Sequence, residues 1–169
     1  MERQTSLRPQ DVVIAAKIHI DNGVESQKSL ADQLCLSQAE IVKSLKRLRD
    51  SRLLNGDNQV ARIRLKNFIK HGLSVCFPSQ VGRLQLGIEI GGSFKGFKKN
   101  LKLDPNEDFV YQDENGDRKG MSILPLYPNL KEALKEDIQL HKLVSVLELY
   151  RLGEVSETSQ LDKLLSEFI

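Results

Sequence analysis

The sequence has few of the residues that build metal, disulfide or redox sites. Its 169 residues include two cysteines, three histidines and no tryptophan. Cys35 and Cys76 have neither the spacing of a disulfide framework nor that of a zinc site, and the histidines are far apart in the chain. We therefore expect both cysteines to be buried free thiols, and we expect no metal ion and no cofactor.

Long apolar runs and nucleotide-binding motifs are also missing. No apolar stretch approaches the ~20 residues that cross a membrane, and the N-terminal residues lack an apolar signal core. Gly91-Gly92-Ser93 has neither the spacing of a P-loop nor its Gly-Lys-Ser/Thr ending. Residues 113–124 begin like a calcium loop, but an arginine occupies the glycine position and a leucine the closing glutamate position. These absences predict a cytoplasmic protein that is not an enzyme.

Positive charge is concentrated in one segment of the chain. The formal net charge of the whole sequence is +2. Residues 43–70 contain nine basic side chains against Asp50 and Asp57, a local charge of +7, so the remainder carries −5. This asymmetry indicates a surface that attracts a polyanion.

The stretch from Ser29 to Leu54 has the pattern of two helices joined by a tight turn. Ser37 and Glu40 match the S-x-x-E capping box, in which the hydroxyl accepts from an early helix N–H and the carboxylate reaches back. A second helix should therefore begin at Ser37, directly after the first ends near Cys35. This arrangement is a helix-turn-helix.

The second of these helices is predicted to have two different faces. Ile41, Leu45 and Leu48 recur at helical spacing and form an apolar stripe for packing. The side chains expected on the opposite face are Ala39, Lys43, Lys46 and Arg47. A basic outward face on this helix favours DNA binding, and an ordinary helical hairpin with a solvated basic face is the alternative.

Helices are also predicted on both sides of this motif. Pro9 fits the first position of a helix that ends at Asn22-Gly23, and Ser26 can cap the next one. After the turn at 55–58, residues 59–69 fit either the returning strand of a wing or a helix that ends at Gly72. The helix is favoured because FIKHG has a typical helix ending. With either structure, Arg62 and Arg64 could reach phosphates.

The middle of the chain, 73–128, has the texture of short strands. SVCF and RLQLGIEI alternate as strands do, and Val110-Tyr111 could pair with Met121–Leu124 across the intervening turn. Between them, residues 91–102 are rich in glycine and lysine and include Phe94 and Phe97. Such a segment suits either a nucleic-acid contact or a mobile solvated loop, of which the loop is favoured.

Residues 129–169 are predicted to be helical, with apolar stripes that either cover the core or mediate dimerisation. The fold class expected for the whole chain is mainly α with a small β component. Three segments are expected: a helix-turn-helix domain at 1–72, an irregular region with short strands at 73–128, and helices at 129–169.

Residues 8–54 resemble the DNA-binding core of winged-helix transcriptional regulators, including the MarR type. The resemblance rests on a first helix, then SLADQLCLS, then a capped helix closing in LKRLRDSRLL. It implies that the second helix of the motif enters the major groove of double-stranded DNA. The positions it assigns to base edges are Gln38, Ala39 and Lys43; those assigned to phosphates or bases are Lys46 and Arg47; those near the backbone are Lys28 and Ser29.

Three functional hypotheses follow from these patterns. The first is a sequence-specific transcriptional regulator that acts as a homodimer, with two recognition helices about one helical turn, ~34 Å, apart. The second is a protein-interaction module, antitoxin-like or a complex-assembly subunit, whose winged-helix unit docks a partner. The third is nonspecific nucleic-acid binding by residues 94–102.

Overall fold

The computed structural model describes residues 5–95, 97, 101, 107–153 and 158–169. These residues are mainly helical with one small sheet, which confirms the predicted fold class. The chain forms two compact units. The first comprises Met1–Asn67 with Leu126–Leu140, and the second comprises Phe68–Pro125 with His141–Ile169. This grouping places residues 126–140 with the first unit and residues 141–169 with the second.

The helices of the described residues are α1 (Pro9–Ile20), α2 (Gln27–Leu34), α3 (Gln38–Asp50), α4 (Arg62–His71), α5 (Leu73–Cys76), α6 (Leu130–Glu136), α7 (Ile138–Leu152) and α8 (Thr158–Phe168). The strands are β1 (Val81–Ile90), β2 (Phe109–Gln112) and β3 (Arg118–Ile123).

The first unit is built on three helices whose ends follow the predicted signals. Pro9 is the first residue of α1, and Asn22 and Gly23 follow its end with positive φ angles of 57° and 141°. The Ser26 hydroxyl accepts a hydrogen bond from Ser29 N at 3.0 Å, which caps α2. The predicted start of α1 at Pro9 and the predicted Ser26 cap of α2 are therefore both confirmed.

The turn between α2 and α3 is tight because Cys35 adopts a left-handed conformation, with φ 52°. Ser37 then caps α3 by accepting from Glu40 N at 3.2 Å. Among the described contacts, the Glu40 carboxylate bonds to other side chains and not to the Ser37 N–H, so only the serine half of the predicted capping box forms. The helix nonetheless begins where the sequence predicts.

Residues 126–136 complete the first unit by packing against α2. The Tyr127 hydroxyl donates to the Leu34 carbonyl oxygen at 2.8 Å, and Asn129 Nδ2 donates to the Cys35 carbonyl oxygen at 3.3 Å. Both acceptors lie at the C-terminal end of α2, where helix carbonyls have no intrahelical partner. These two bonds hold the turn between α2 and α3 in place.

The segment after α3 is a short turn followed by a helix, as favoured from the sequence. Asn55 Oδ1 accepts from the N–H groups of Asp57 and Gln59, at 3.0 and 2.8 Å. One antiparallel bridge joins Leu54 to Val60 across this turn. The chain then enters α4, so residues 59–69 form no returning strand beyond this single bridge.

Near its start, the second unit has a short helix where a strand was predicted. The alternating SVCF segment was expected to be a strand, but Leu73–Cys76 form the short helix α5. The N–H groups of Val75 and Cys76 donate to the Gly72 carbonyl oxygen, and Phe77 N, just after α5, donates to the Leu73 carbonyl oxygen. Four residues are too few for alternation to separate a strand from a helical turn.

The sheet is closed by a crossing at Gly87. β1 pairs antiparallel with both β2 and β3, and β2 pairs in parallel with β3. Gly87 is the register partner of both Gln112 and Arg118, so the chain between β2 and β3 crosses β1 at this residue. A Cβ on Gly116 would overlap the Gly87 backbone, and a Cβ on Gly87 would overlap the Tyr111 carbonyl oxygen, which explains why both positions are glycine. The predicted pairing of β2 with β3 is present, but in parallel.

Helices α7 and α8 enclose the core of the second unit. Residues 143–149 of α7 are all buried, as expected for a helix that is covered on every side. On α8, Leu161, Leu164 and Leu165 are buried within the same chain. Of the two alternatives for this stripe, covering the core is therefore the one confirmed, and dimerisation stays a prediction.

A buried polar cluster links α7 to the sheet. The Glu148 carboxylate accepts from the Tyr111 hydroxyl and from Arg151, both at 2.5 Å, and from the Ser79 hydroxyl at 3.2 Å. Arg151 Nε also donates to the Phe77 carbonyl oxygen at 2.8 Å. Burial raises the pKa of Glu148, against the opposing effect of Arg151. The cluster satisfies its own members and has a structural role.

Candidate nucleic-acid interface

Helix α3 presents one continuous solvent-exposed face. Its buried residues include the predicted stripe of Ile41, Leu45 and Leu48, which are all at most 1% exposed. The exposed residues on the other side are Gln38, Ala39, Val42, Lys43, Lys46, Arg49 and Asp50. The face therefore combines one amide, three cations, one carboxylate and two apolar side chains, of which Val42 is the larger.

Arg47 is not part of this face, so its predicted outward position is wrong. Its side chain is only 8% exposed. Nε donates to Asp11 Oδ2 at 2.7 Å and Nη2 donates to Asp11 Oδ1 at 2.8 Å. Asp11 lies in the first turn of α1 and its side chain is 0% exposed. The physical reason for the burial is this two-pronged ion pair, since a buried carboxylate requires a charged and hydrogen-bonded partner.

The Arg47 pair is extended by polar side chains of α3 itself. Nη2 also donates to Glu40 Oε1 at 2.8 Å and to the Ser44 hydroxyl at 2.7 Å. The hydrogen bond from Arg47, which outweighs partial burial, lowers the pKa of Glu40. Gln10 Nε2 donates to the same Glu40 oxygen at 2.8 Å. The cluster therefore joins α3 to α1 and fixes which face of α3 is exposed.

Two exposed cations of α3 have partners that hold them in place. Lys46 Nζ lies 2.8 Å from Asp50 Oδ2 in an i,i+4 ion pair, and the Lys46 side chain is 69% exposed. Arg49 Nη1 donates to Asn58 Oδ1 at 2.7 Å, which connects the end of α3 to the following turn. An exposed ion pair such as Lys46–Asp50 contributes little to stability.

The remaining predicted contact residues lie on neighbouring helices. Lys28 is exposed at the start of α2, the helix that packs against α3, and Ser29 is half-buried in local bonds with Glu25 and Gln33. Arg62 and Arg64 are exposed in the first turn of α4. Of the predicted set, Gln38, Ala39, Lys43 and Lys46 therefore lie together on the exposed face of α3, and the other four residues named here lie on α2 and α4.

Sequence reasoning missed Val42 and Arg49. The Val42 side chain is 46% exposed and lies between Ala39 and Lys46 on the α3 face. Apolar residues at helical spacing are normally assigned to the core. Because Ile41, Leu45 and Leu48 already form a complete apolar stripe, the position of Val42 outside that stripe was the one sign in the sequence that it is exposed. Arg49 belongs to the basic segment, but its direction becomes clear only once the buried side is known.

The glycine- and lysine-rich segment contains no exposed aromatic pair among the residues that the structure describes. Phe94 and Phe97 are 5% and 6% exposed and contact each other, with ring centroids 5.3 Å apart. Phe94 also packs edge-on against His141 at 4.7 Å. Gly91–Ser93 form a buried 3-10 turn. The favoured prediction of a solvated loop is therefore wrong for Gly91–Phe94 and Phe97. The two aromatic rings are buried and cannot stack on bases. Lys98, Lys99 and Lys102 lie outside the described residues.

Both cysteines are exposed, which corrects the expectation that they are buried. Cys35 occupies the left-handed turn position after α2, and Cys76 lies on an exposed side of α5 instead of in a strand. Within the described ranges, no group of three or more histidine, cysteine, aspartate or glutamate side chains could hold a metal ion. No helix in these same ranges is long and apolar enough to cross a membrane.

Comparison with known proteins gives no relative for this chain. No protein-family model, no curated protein and no solved structure matches it.

Proposed function

We propose that this protein is a sequence-specific DNA-binding regulator that reads the major groove with α3. The observation that carries the proposal is the exposed face of α3, where Lys43, Lys46 and Arg49 surround the polar Gln38 and the apolar Val42. An α-helix of this length fits the major groove, and cations on it supply the attraction to phosphates.

The rigid mounting of α3 supports this proposal. A recognition helix must be held at a fixed angle, because base contacts depend on side chains arriving in register. The Asp11–Arg47–Glu40 cluster ties α3 to α1, and Tyr127 and Asn129 tie the preceding turn to the rest of the unit. These contacts leave the opposite side of α3 exposed.

Each exposed residue has a distinct proposed role. Gln38 and Lys43, near the helix start, contact base edges, since glutamine pairs with adenine and lysine with guanine. Val42 contacts a thymine methyl group. Lys46 and Arg49 contact phosphates, and Arg62, Arg64 and Lys28 add phosphate contacts from α4 and α2. Two copies of the chain would read two half-sites about one helical turn apart.

The test is to select bound fragments from the source genome with purified protein and to measure binding of the enriched fragment. We expect one enriched site that wild type binds ~10³-fold or more tightly than random DNA at equal salt. Lys43→Ala should weaken the enriched site by about 1–3 kcal/mol while leaving random DNA nearly unaffected.

Lys163→Ala is the matched control, because Lys163 is an exposed lysine on a different helix, α8. It should bind like wild type. Equal binding of enriched and random DNA would contradict sequence-specific reading, and loss of binding in Lys163→Ala but not in Lys43→Ala would remove α3 from the interface.

A second candidate function is a protein-interaction module that docks a partner through the same helical unit. The exposed Val42 favours it, since an apolar side chain ringed by polar ones suits a protein interface as well as a thymine methyl. Val42→Ser separates the two: a DNA reader loses discrimination at one base pair, whereas a docking surface loses a protein partner and has no enriched DNA site.

A further inference from the structure

The second unit contains a cavity of about 330 Å³. Its lining comes from the end of α4, from α5, from the end of α7 and from the first half of α8. Every lining residue belongs to the second unit. The volume lies at the lower end of the ~300–1,000 Å³ range of small-molecule sites, which combine apolar walls with a few convergent polar groups.

Two leucines supply the apolar part of the lining. Leu149 of α7 and Leu161 of α8 are each 3% exposed, so the cavity meets the core of the second unit at this end. An apolar group placed against them would remove apolar surface from water, which is favourable. The cavity therefore suits a ligand with an apolar part.

The one carboxylate of the lining is already balanced by neighbouring side chains. Asp162 Oδ2 lies 2.6 Å from Lys70 Nζ, and Asp162 Oδ1 accepts from the Tyr150 hydroxyl at 2.6 Å. Burial opposes the ionisation of Asp162, but the hydrogen bonds from Lys70 and Tyr150 outweigh it and lower the pKa of Asp162. Burial and the bond to Asp162 raise the pKa of Tyr150, so its hydroxyl keeps the proton that it donates. Asp162 therefore offers no unbalanced charge to a cation.

Two other polar side chains of the lining are not used by the protein itself. Among the contacts between described residues, neither the His71 ring nor the Ser74 hydroxyl has a hydrogen-bond partner. The charge of His71 contributes to lowering the pKa of Asp162, which places the ring near the Lys70–Asp162 pair. The Lys70 ammonium has three N–H donors, more than its single bond to Asp162 requires. An imidazole, a hydroxyl and an ammonium can therefore all donate to one ligand group.

The charge of the lining favours a ligand with a single negative charge. Lys70 and Asp162 cancel, so the lining is neutral when His71 is neutral and carries +1 when His71 is protonated. A cation would find no net negative charge here. A doubly charged anion such as phosphate would lack a second balancing cation, whereas a monoanion is balanced by His71 alone.

We propose that this cavity binds a small organic carboxylate. The ligand carboxylate accepts hydrogen bonds from His71, Ser74 and Lys70, and its aliphatic part covers Leu149 and Leu161. The site lies in the second unit and does not depend on the DNA binding proposed for α3.

The experiment is a titration of the ¹⁵N-labelled full chain with hexanoate, hexanamide and hexylamine, followed by NMR. The three probes share one aliphatic part and differ only in the polar group. Hexanoate should shift the signals of His71, Ser74 and Leu161, and it should bind at least about tenfold more tightly than the other two. Acetate has the charge without the chain, so it should also bind at least about tenfold more weakly than hexanoate.

His71→Ala and Ser74→Ala test the two donors that the protein leaves unused. His71 is exposed and Ser74 is half-buried, so neither change removes core packing, and the unshifted signals of the rest of the chain check the fold. Each variant should bind hexanoate severalfold more weakly, and the double variant about tenfold more weakly or worse. His19→Ala, the same histidine substitution on α1 of the first unit, should bind like wild type.

Four results would overturn the proposal: no hexanoate binding up to about 10 mM, equal or tighter binding of hexanamide or hexylamine, shifts confined to residues outside the cavity, or unchanged affinity in His71→Ala/Ser74→Ala. Tighter binding of inorganic phosphate than of hexanoate would likewise contradict it. None of these results bears on DNA binding by α3, which Lys43→Ala tests separately.

Discussion

Replacing Arg47 by methionine is expected to lower the free energy of unfolding of the first unit far more than replacing any exposed cation of α3. Arg47 makes two short hydrogen bonds to Asp11, whose side chain has no solvent exposure, and a third to Glu40. Methionine keeps the approximate volume and removes every donor. The Asp11 carboxylate then stays buried with the Arg8 N–H, at 2.8 Å, as a remaining partner. Leaving one member of a buried ion pair without its partner costs about 3–5 kcal/mol, a large part of the ~5–15 kcal/mol that stabilises a typical domain.

The assay is urea denaturation followed by far-UV circular dichroism, because the chain has no tryptophan for fluorescence. Arg49→Met is the matched control, since Arg49 is an exposed arginine of the same helix, and its effect should stay within about 0.5 kcal/mol. The double variant Asp11→Leu/Arg47→Met should recover most of the lost stability, because both buried charges are then absent. If Arg47→Met changed the free energy of unfolding by less than about 1 kcal/mol, Arg47 would not be the buried anchor of α3.

Three further substitutions test the contacts that hold each unit together. Glu40→Gln should cost about 1 kcal/mol at neutral pH. Arg47 lowers the pKa of Glu40 below its usual 4.5, so this contribution is present above that value and is lost as the pH falls through the lowered pKa. Urea titrations at a series of pH values downward from pH 7 should show the difference between wild type and variant shrink as Glu40 becomes protonated. Tyr127→Phe leaves the Leu34 carbonyl oxygen without its donor and should cost about 1–2 kcal/mol, with faster hydrogen exchange at the end of α2. Tyr111→Phe removes a hydroxyl from the buried Glu148 carboxylate and should cost about 1.5–3 kcal/mol in thermal or urea unfolding, and an unchanged midpoint would refute the bond.

The helices could be predicted because their signals are local. Pro9, Ser26 and Ser37 act within one helical turn of themselves, and the apolar stripe of α3 follows from the 3.6-residue repeat. The same repeat misplaced Arg47. Around the helix axis, Arg47 lies about 120° from the centre of the apolar stripe. At that position the repeat alone does not determine whether a side chain is exposed or buried. The partner that decides it, Asp11, is 36 residues away in the sequence.

The sheet shows the same division between local and distant causes. The alternation of 83–90 predicted β1, but the closed pairing depends on Gly87 and Gly116 meeting where the chain crosses. No pattern within one strand carries that information. The exposure of Leu84, Leu86 and Met121 could not be predicted either, because alternation shows which residues share a face and not whether another element covers that face.

The measurement that tests the central claim most directly is the affinity of the selected DNA fragment for three proteins at one salt concentration, by fluorescence anisotropy. The proteins are wild type, Lys43→Ala/Lys46→Ala and the Lys163→Ala control. If α3 reads DNA, the double variant should bind about 30-fold or more weakly, because two lost contacts at about 1–3 kcal/mol each sum to at least about 2 kcal/mol. The control should bind like wild type, and all three proteins should fold alike. Equal affinity for the double variant and wild type would contradict DNA reading by α3.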